Sequence, residues 1–188
     1  MNIFRLYESF SGIFWGNVLK YFFKEHGDKL RIIKPLKFIN MKGMYFGDYV
    51  RINSGGWLQV HDNNGVLKIG SSSTIGHFSH IYAYREIIIG ESVLIADKVY
   101  ISDCLHGYTN VQVPIMLQDL KAIQKVYIGD NSWLGENVVV LGSRIGRHCI
   151  IGSNSVVTKD IPDYSIAVGI PARVIKRYNL ELQIWEKI

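Results

Sequence analysis

IGDNSWLGENVVVLGSRIGRHCIIGSNSV, residues 128–156, divides into steps of six, with one shortened step, VLGSR, at 140–144. The same step continues into VTKDIP (157–162) and is already present upstream as IGSSST, IGHFSH, IYAYRE, IGESVL, IADKVY and ISDCLH within 69–106, where two extra residues, Ile87 and Ile88, follow IYAYRE. Two weaker copies, FGDYVR and INSGGW, fill residues 46–57. Gly follows the aliphatic or aromatic lead residue in eight of these 14 units, whereas 18 glycines in 188 residues would place about one there by chance.

Six residues with an aliphatic lead and Gly, Asn, Asp or Ser behind it suit a short strand followed by a bend. One such strand cannot bury its apolar side, but stacked coils share a continuous interior filled by the lead residues. Small or β-branched residues recur four places after the lead (Ser73, Ser79, Val93, Val99, Ser132, Val138, Cys149, Ser155), which places that position inward as well. An antiparallel sandwich would need turn signals every 8–12 residues or so, and the six-residue step argues against it. The spacing does not set handedness, and the general preference for parallel crossovers is right-handed.

Three segments lie outside the period. Residues 107–127 form a 21-residue insertion; its run Pro114, Ile115, Met116, Leu117 is too apolar for a solvated linker and suits an ordered excursion reaching a neighbouring subunit. Residues 3–25 carry Leu6, Phe10, Ile13, Phe14 and Val18 near helical spacing, an amphipathic helix weakened by Gly12 and Gly16. Such a helix would cap the open end of the coil or pack on a subunit, with docking on a membrane surface beside Lys20 and Lys24 as the alternative. From Pro171 a tail bearing Val174, Ile175, Leu180, Ile184 and Trp185 is expected to fold back on the coil. The expected organisation is a helical capping segment at 1–40, a parallel β-helix at 41–170 and a tail at 171–188.

Composition excludes several classes. The 21 Lys and Arg exceed the 16 Asp and Glu by five, a mild excess without the basic block of a nucleic-acid binder. Cys104 and Cys149 match neither a disulfide framework nor a CxxC motif and suit a reducing cytoplasm. The N-terminus lacks a signal-peptide pattern, and the 11 uncharged residues between Glu8 and Lys20 fall short of the roughly 20 needed to span a bilayer.

With the repeats placed, IIIGESVLIADKVYISDCLHGYTN, VYIGDNSWLGENVVVLGSRIGRHCIIGSNSVVTKDIP and AVGIPARVIK resemble the hexapeptide-repeat acyltransferases. The similarity runs over about residues 66–177 and is strongest to the branch of galactoside, maltose and surface-polysaccharide O-acetyltransferases. It implies an all-β, left-handed parallel β-helix, a homotrimer with active sites at subunit boundaries, acetyl-CoA as donor and a sugar acceptor. It also matches His106 to the family's catalytic histidine.

Acetyl transfer to an alcohol needs a base, and histidine, with its ordinary pKa near 6.5, can take the hydroxyl proton and return it to the leaving thiolate. Asp103, or a backbone carbonyl, would fix its tautomer. The resemblance places the donor's coenzyme A along Trp133, Gly135, Ser153, Thr158, Lys159 and Arg173, with the two cations suited to phosphates. His80, Tyr82 and Tyr108, with Trp57, Tyr84 and His77, are candidates for the acceptor side. Polysaccharide-modifying relatives often show Asp-His-x-His where this chain has Asp103, Cys104, Leu105 and His106, a departure that bears on the acceptor. His77, His80 and His106 lack the spacing of a three-histidine zinc site, so no metal is expected. The alternatives to a sugar O-acetyltransferase are an N-acetyltransferase of a nucleotide-linked amino sugar and a non-catalytic β-helix scaffold.

Overall fold

The computed structural model describes residues 3–62 and 64–188; Met1, Asn2 and Asn63, the first two in the expected 1–40 segment, lie outside them. The chain winds as a left-handed parallel β-helix whose coils contribute in turn to three parallel sheets. The lead residues form the inward ladder of each. The first sheet stacks Phe46, Ile69, Ile89, Ile128 and Ile145. The second stacks Ile32, Ile52, Ile75, Ile95, Leu134, Ile151 and Ala167. The third stacks Phe38, Leu58, Ile81, Ile101, Val140 and Val157. All but Phe38 are buried and join one core, and each large aliphatic there stabilises the fold by roughly 1.5–3 kcal/mol.

The position four after the lead is buried as expected, and its serines also tie coils together. Ser73 Oγ donates to the Gly90 carbonyl and accepts from the Val93 N–H; Ser79 does the same with Ala96 and Val99, and Ser132 with Gly146 and Cys149. A buried polar atom is thereby satisfied at each of these corners. The glycine after the lead has a different cause from the turn propensity read in the sequence. At Gly70 a Cβ would stand 2.6 Å from the Gly90 carbonyl carbon, so the next coil leaves no room for a side chain. The left-handed backbone lies two residues further on, at Tyr49, Ser72, Phe78, Ser92, Lys98, Asn131, Asn137, His148 and Asn154.

The coil starts earlier than the expected boundary at residue 41. Glu25–His26, Arg31–Ile32 and Lys37–Ile39 already pair in parallel with the following coil. Their leads His26, Ile32 and Phe38 keep the six-residue step, but a histidine lead disguises it.

Helix α1, Ile3–Leu19, closes this end. Trp15 and Leu19 pack on the core, and Phe23 follows them with its ring 4.6 Å from that of Phe46. The face turned to the coil is therefore not Leu6, Phe10, Ile13, Phe14 and Val18, which are exposed, but Ser11, Gly12 and Gly16, which are buried. Gly12 lies against Ile33 and Gly16 against the Leu30 carbonyl, and Ser11 Oγ accepts from the Lys34 N–H. Gly16→Ala gains about 1 kcal/mol of helix propensity. Its methyl would nevertheless collide with the Leu30 carbonyl, and crowding of this kind costs about 1–3 kcal/mol. We expect net destabilisation, read as a lower urea midpoint.

At the other end, Ala172–Asn179 runs antiparallel to Ser165–Gly169, and Ile184–Lys187 antiparallel to Ala172–Asn179, extending the second sheet. Val174 reaches the core and Trp185 packs on Tyr178, whereas Leu180 and Ile184 stay exposed. Among the described residues no helix is long and apolar enough to cross a membrane.

Candidate active site

The third sheet's strand Tyr100–Ser102 delivers the chain into the insertion. Cys104–His106 then pairs antiparallel with Leu120–Ala122, so His106 faces Leu120 across a two-stranded arm. The arm is fastened at its base, where the Ile123 N–H donates to the Asp103 carbonyl, and again beyond His106, where the Gly107 N–H donates to the Asp119 carbonyl. Further out, Gln118 Nε2 donates to the Asn110 and Val113 carbonyls and Lys121 Nζ to Thr109 Oγ1. The insertion is thus an ordered excursion. Its outer part shows apolar side chains to solvent, with Val111 88% and Met116 82% exposed.

His106 is exposed, and its imidazole makes no hydrogen bond among the described residues. Asp103 does not orient it. That carboxylate is 0% exposed and accepts three backbone N–H groups of the preceding coil: Tyr84 at 2.5 Å, Arg85 at 2.7 Å and Glu86 at 2.7 Å. Both oxygens are committed to the corner of that coil. Its neighbour Cys104 is also buried, beside Ser102 Oγ at 3.5 Å, and burial pushes its thiol pKa up, the opposite of what an attacking thiolate needs.

Next to the arm lies a group that the sequence reading did not single out in full. His61 Nδ1 is 2.8 Å from the Tyr82 hydroxyl, and its ring is 4.3 Å from that of Tyr84. Tyr84 in turn donates to the carbonyl of Leu120, the partner of His106. An open pocket of about 370 Å³ beside them is lined by His61, Asp62, Asn64, Tyr84, Arg85 and Lys125. Burial, with smaller contributions from Cys104 and other neighbours, pushes the Tyr82 hydroxyl up to about 12, so it stays protonated and able to donate. His61 was legible only through stacking. Leu58 pairs with Ile81, and the same offset carries His61 to Tyr84.

His80 stands two residues before Tyr82 on the same strand, stacked 4.0 Å from Trp57 and tilted against Tyr100 at 5.2 Å. Burial lowers its pKa below the usual 6.5. Between those two values the unfolded chain binds a proton that the folded chain excludes, so stability rises with pH through that window and falls as pH drops below 6.5. His80→Gln removes this contribution. Melting temperatures at pH about 5.5 and 7.5 should differ less in the variant than in the wild type. His77 does not share this face but sits in the preceding turn, its N–H donating to Asp97. Tyr108 is an exposed residue of the insertion.

The donor-side candidates separate into two groups. Gly135 is buried with Ser153 directly against it in the next coil, where a side-chain Cβ would stand 2.6 Å from the Ser153 nitrogen, so coil packing alone accounts for this glycine. Trp133 lies on the outer face of the second sheet between Leu94 and Ile150. Lys159 and Arg173 line one cleft of about 340 Å³, with Asp160 as its acidic member. Thr158 is exposed beside Lys159.

Comparison with known proteins gives this geometry a lineage. Residues 125–159 match the model of the bacterial transferase hexapeptide (six repeats). A putative lipopolysaccharide biosynthesis O-acetyl transferase of Escherichia coli K12 is 36% identical over 166 residues, covering 84% of this chain and 84% of that protein. A probable acetyltransferase of Mycobacterium tuberculosis is 40% identical over 146 residues, which cover 74% of this chain but only 47% of that longer protein. Among solved structures, an N-acyltransferase from Bacillus cereus, in complex with dTDP and 3-hydroxybutyryl-CoA, superposes with a TM-score of 0.75 at 21% identity, covering 88% of this chain and 89% of that one. The repeat that sets the coil and a relative 36% identical over 84% of each chain agree: the chain belongs to the hexapeptide-repeat acetyltransferases.

Proposed function

We propose that the chain transfers an acetyl group from acetyl-CoA to a sugar hydroxyl during surface-polysaccharide assembly, acting as a homotrimer on the cytoplasmic side. The observation that carries this reading is His106 itself, an unpaired imidazole exposed on an arm whose backbone is pinned on both sides of it. His106 takes the hydroxyl proton as the new C–O bond forms and returns it to the thiolate as the C–S bond breaks. With Asp103 committed to the coil corner, a carbonyl that fixes the tautomer of His106 would have to come from a neighbouring copy in the trimer. The pocket beside His61, Tyr82 and Tyr84 suits the acceptor, since aromatic faces and hydroxyls together match a sugar. His80 and Tyr108 flank it in this reading. Trp133, Gly135, Ser153 and Thr158 accommodate the donor's chain, and Lys159 and Arg173 meet its phosphates in their shared cleft. The exposed apolar part of the insertion, including Val111, Met116 and Leu117, supplies a surface for a second copy.

Thiol release from acetyl-CoA across a panel of sugar acceptors, with mass spectrometry of the products, tests the reading. Alkali-labile ester products are expected. Amide products on an amino sugar would move the assignment to N-acetyl transfer, and no release with any acceptor, together with no binding of acetyl-CoA, would leave a scaffold.

A further inference from the structure

We infer that helix α1 is a docking element for an anionic lipid surface. Its outward stripe is largely apolar: Ile3, Leu6, Phe10, Ile13, Phe14 and Tyr21 are all exposed, with Phe10 at 71% and Tyr21, just past the helix, at 78%, and Asn17 is the polar residue among them. The usual arrangement of a surface helix, apolar face inward and polar face to water, is inverted here. The coil takes the small residues Ser11, Gly12 and Gly16 together with Trp15 and Leu19, and solvent is left with Phe10, Phe14 and the other large residues of the stripe. Among the described residues nothing covers this stripe, and contiguous exposed apolar surface marks a contact.

Charge identifies the occupant. Lys34 Nζ sits 4.4 Å from the centre of the Tyr7 ring near one end of the helix, and Lys20 Nζ sits 5.2 Å from that of Tyr21 at the other. Both tyrosines are exposed, so cations are held at the rim of the apolar face at both ends. Beside the helix an open cleft of about 600 Å³ gathers Lys20, His26, Lys29 and Arg31 around one carboxylate, Asp28. Lys24 is exposed close by. A second copy meeting this face about a twofold axis would bring these cations towards their own equivalents. Phosphate headgroups above acyl chains complement both features together, since the rings enter the interface while the ammonium groups stay at headgroup level. The inference adds a location to the proposed reaction and does not depend on it.

The full chain is centrifuged with vesicles of phosphatidylcholine, alone or mixed with phosphatidylglycerol. Sedimentation with the mixed vesicles only, weakened by salt, is the expected result. Phe10→Ser with Phe14→Ser, and separately Lys20→Glu with Lys24→Glu, should each lower partitioning on the order of tenfold or more. Both pairs should leave transfer to a soluble acceptor unchanged. The inference fails if the wild type stays in solution with mixed vesicles, or if the phenylalanine variant sediments like the wild type. It also fails if that variant shifts an oligomer to a smaller species by light scattering, which would assign the face to a second copy. Vesicle binding without acetyl transfer would sink the proposed reaction and leave the docking intact, and transfer without vesicle binding would do the reverse.

Discussion

Replacing His106 by Ala should lower turnover by roughly 10² to 10⁴ while the protein stays folded. The two halves of this result have separate causes. The side chain is exposed and its position is held by backbone pairing with Leu120, so truncation removes little packing; exposed substitutions of this kind usually stay within about 0.5 kcal/mol. Turnover falls because a hydroxyl attacking a thioester without a base must carry its proton into a high-energy intermediate. If the cleft of Lys159 and Arg173 holds the donor as proposed, the KM for acetyl-CoA should change little, since His106 does not line it. His106→Gln can hydrogen-bond but not take up the proton, and should be about as slow as the alanine variant. Circular dichroism and steady-state thiol release check both halves. A folded alanine variant with wild-type turnover would remove His106 from the reaction and with it the reading built on it.

How much of this was legible in the sequence depended on whether a residue's role is local to its coil. The lead residues were readable because each Ile, Leu or Val does the same thing every six positions and buries the same way. The first coil was missed because His26 stands where an aliphatic lead would be, and Leu36, which breaks the pattern in the next unit, is exposed. Helical periodicity found the stripe on α1 correctly and left open whether it caps the coil, packs on a subunit or meets a membrane. Apolar spacing says which residues share a face and nothing about which face meets the coil; that was decided by Gly12 and Gly16, whose lack of side chains permits the close approach to Ile33 and Leu30. At the site, Lys159 and Arg173 were anticipated and share a cleft, whereas the His61–Tyr82–Tyr84 group required knowing that residues 58 and 81 stack. Long-range adjacency follows from coil length, and coil length varies in the first half of the chain.

Asp103 makes the same distinction testable, because its sequence proximity to His106 suggested one role and its hydrogen bonds indicate another. Asp103→Ala should destabilise the fold by about 3–6 kcal/mol, since three backbone N–H groups lose a charged acceptor where water does not replace it easily. Against a total stability of roughly 5–15 kcal/mol this is a large share, and for a chain of this size it corresponds to a melting temperature lower by about 10 °C or more. Asp103→Asn should fall between. Its amide keeps one acceptor oxygen, but its NH₂ meets an N–H donor where the second carboxylate oxygen stood. If Asp103 acts through the coil corner, activity in both variants should follow the folded fraction as temperature is raised, and at low temperature the alanine variant should retain far more turnover than His106→Ala. Had Asp103 instead fixed the imidazole, the opposite pattern would appear, with a near-normal melting temperature and a turnover as low as that of His106→Ala. Thermal melts and thiol-release rates on the same samples separate the two, because a buried acceptor shared by Tyr84, Arg85 and Glu86 cannot be removed without loosening the corner that carries Tyr84 to the arm.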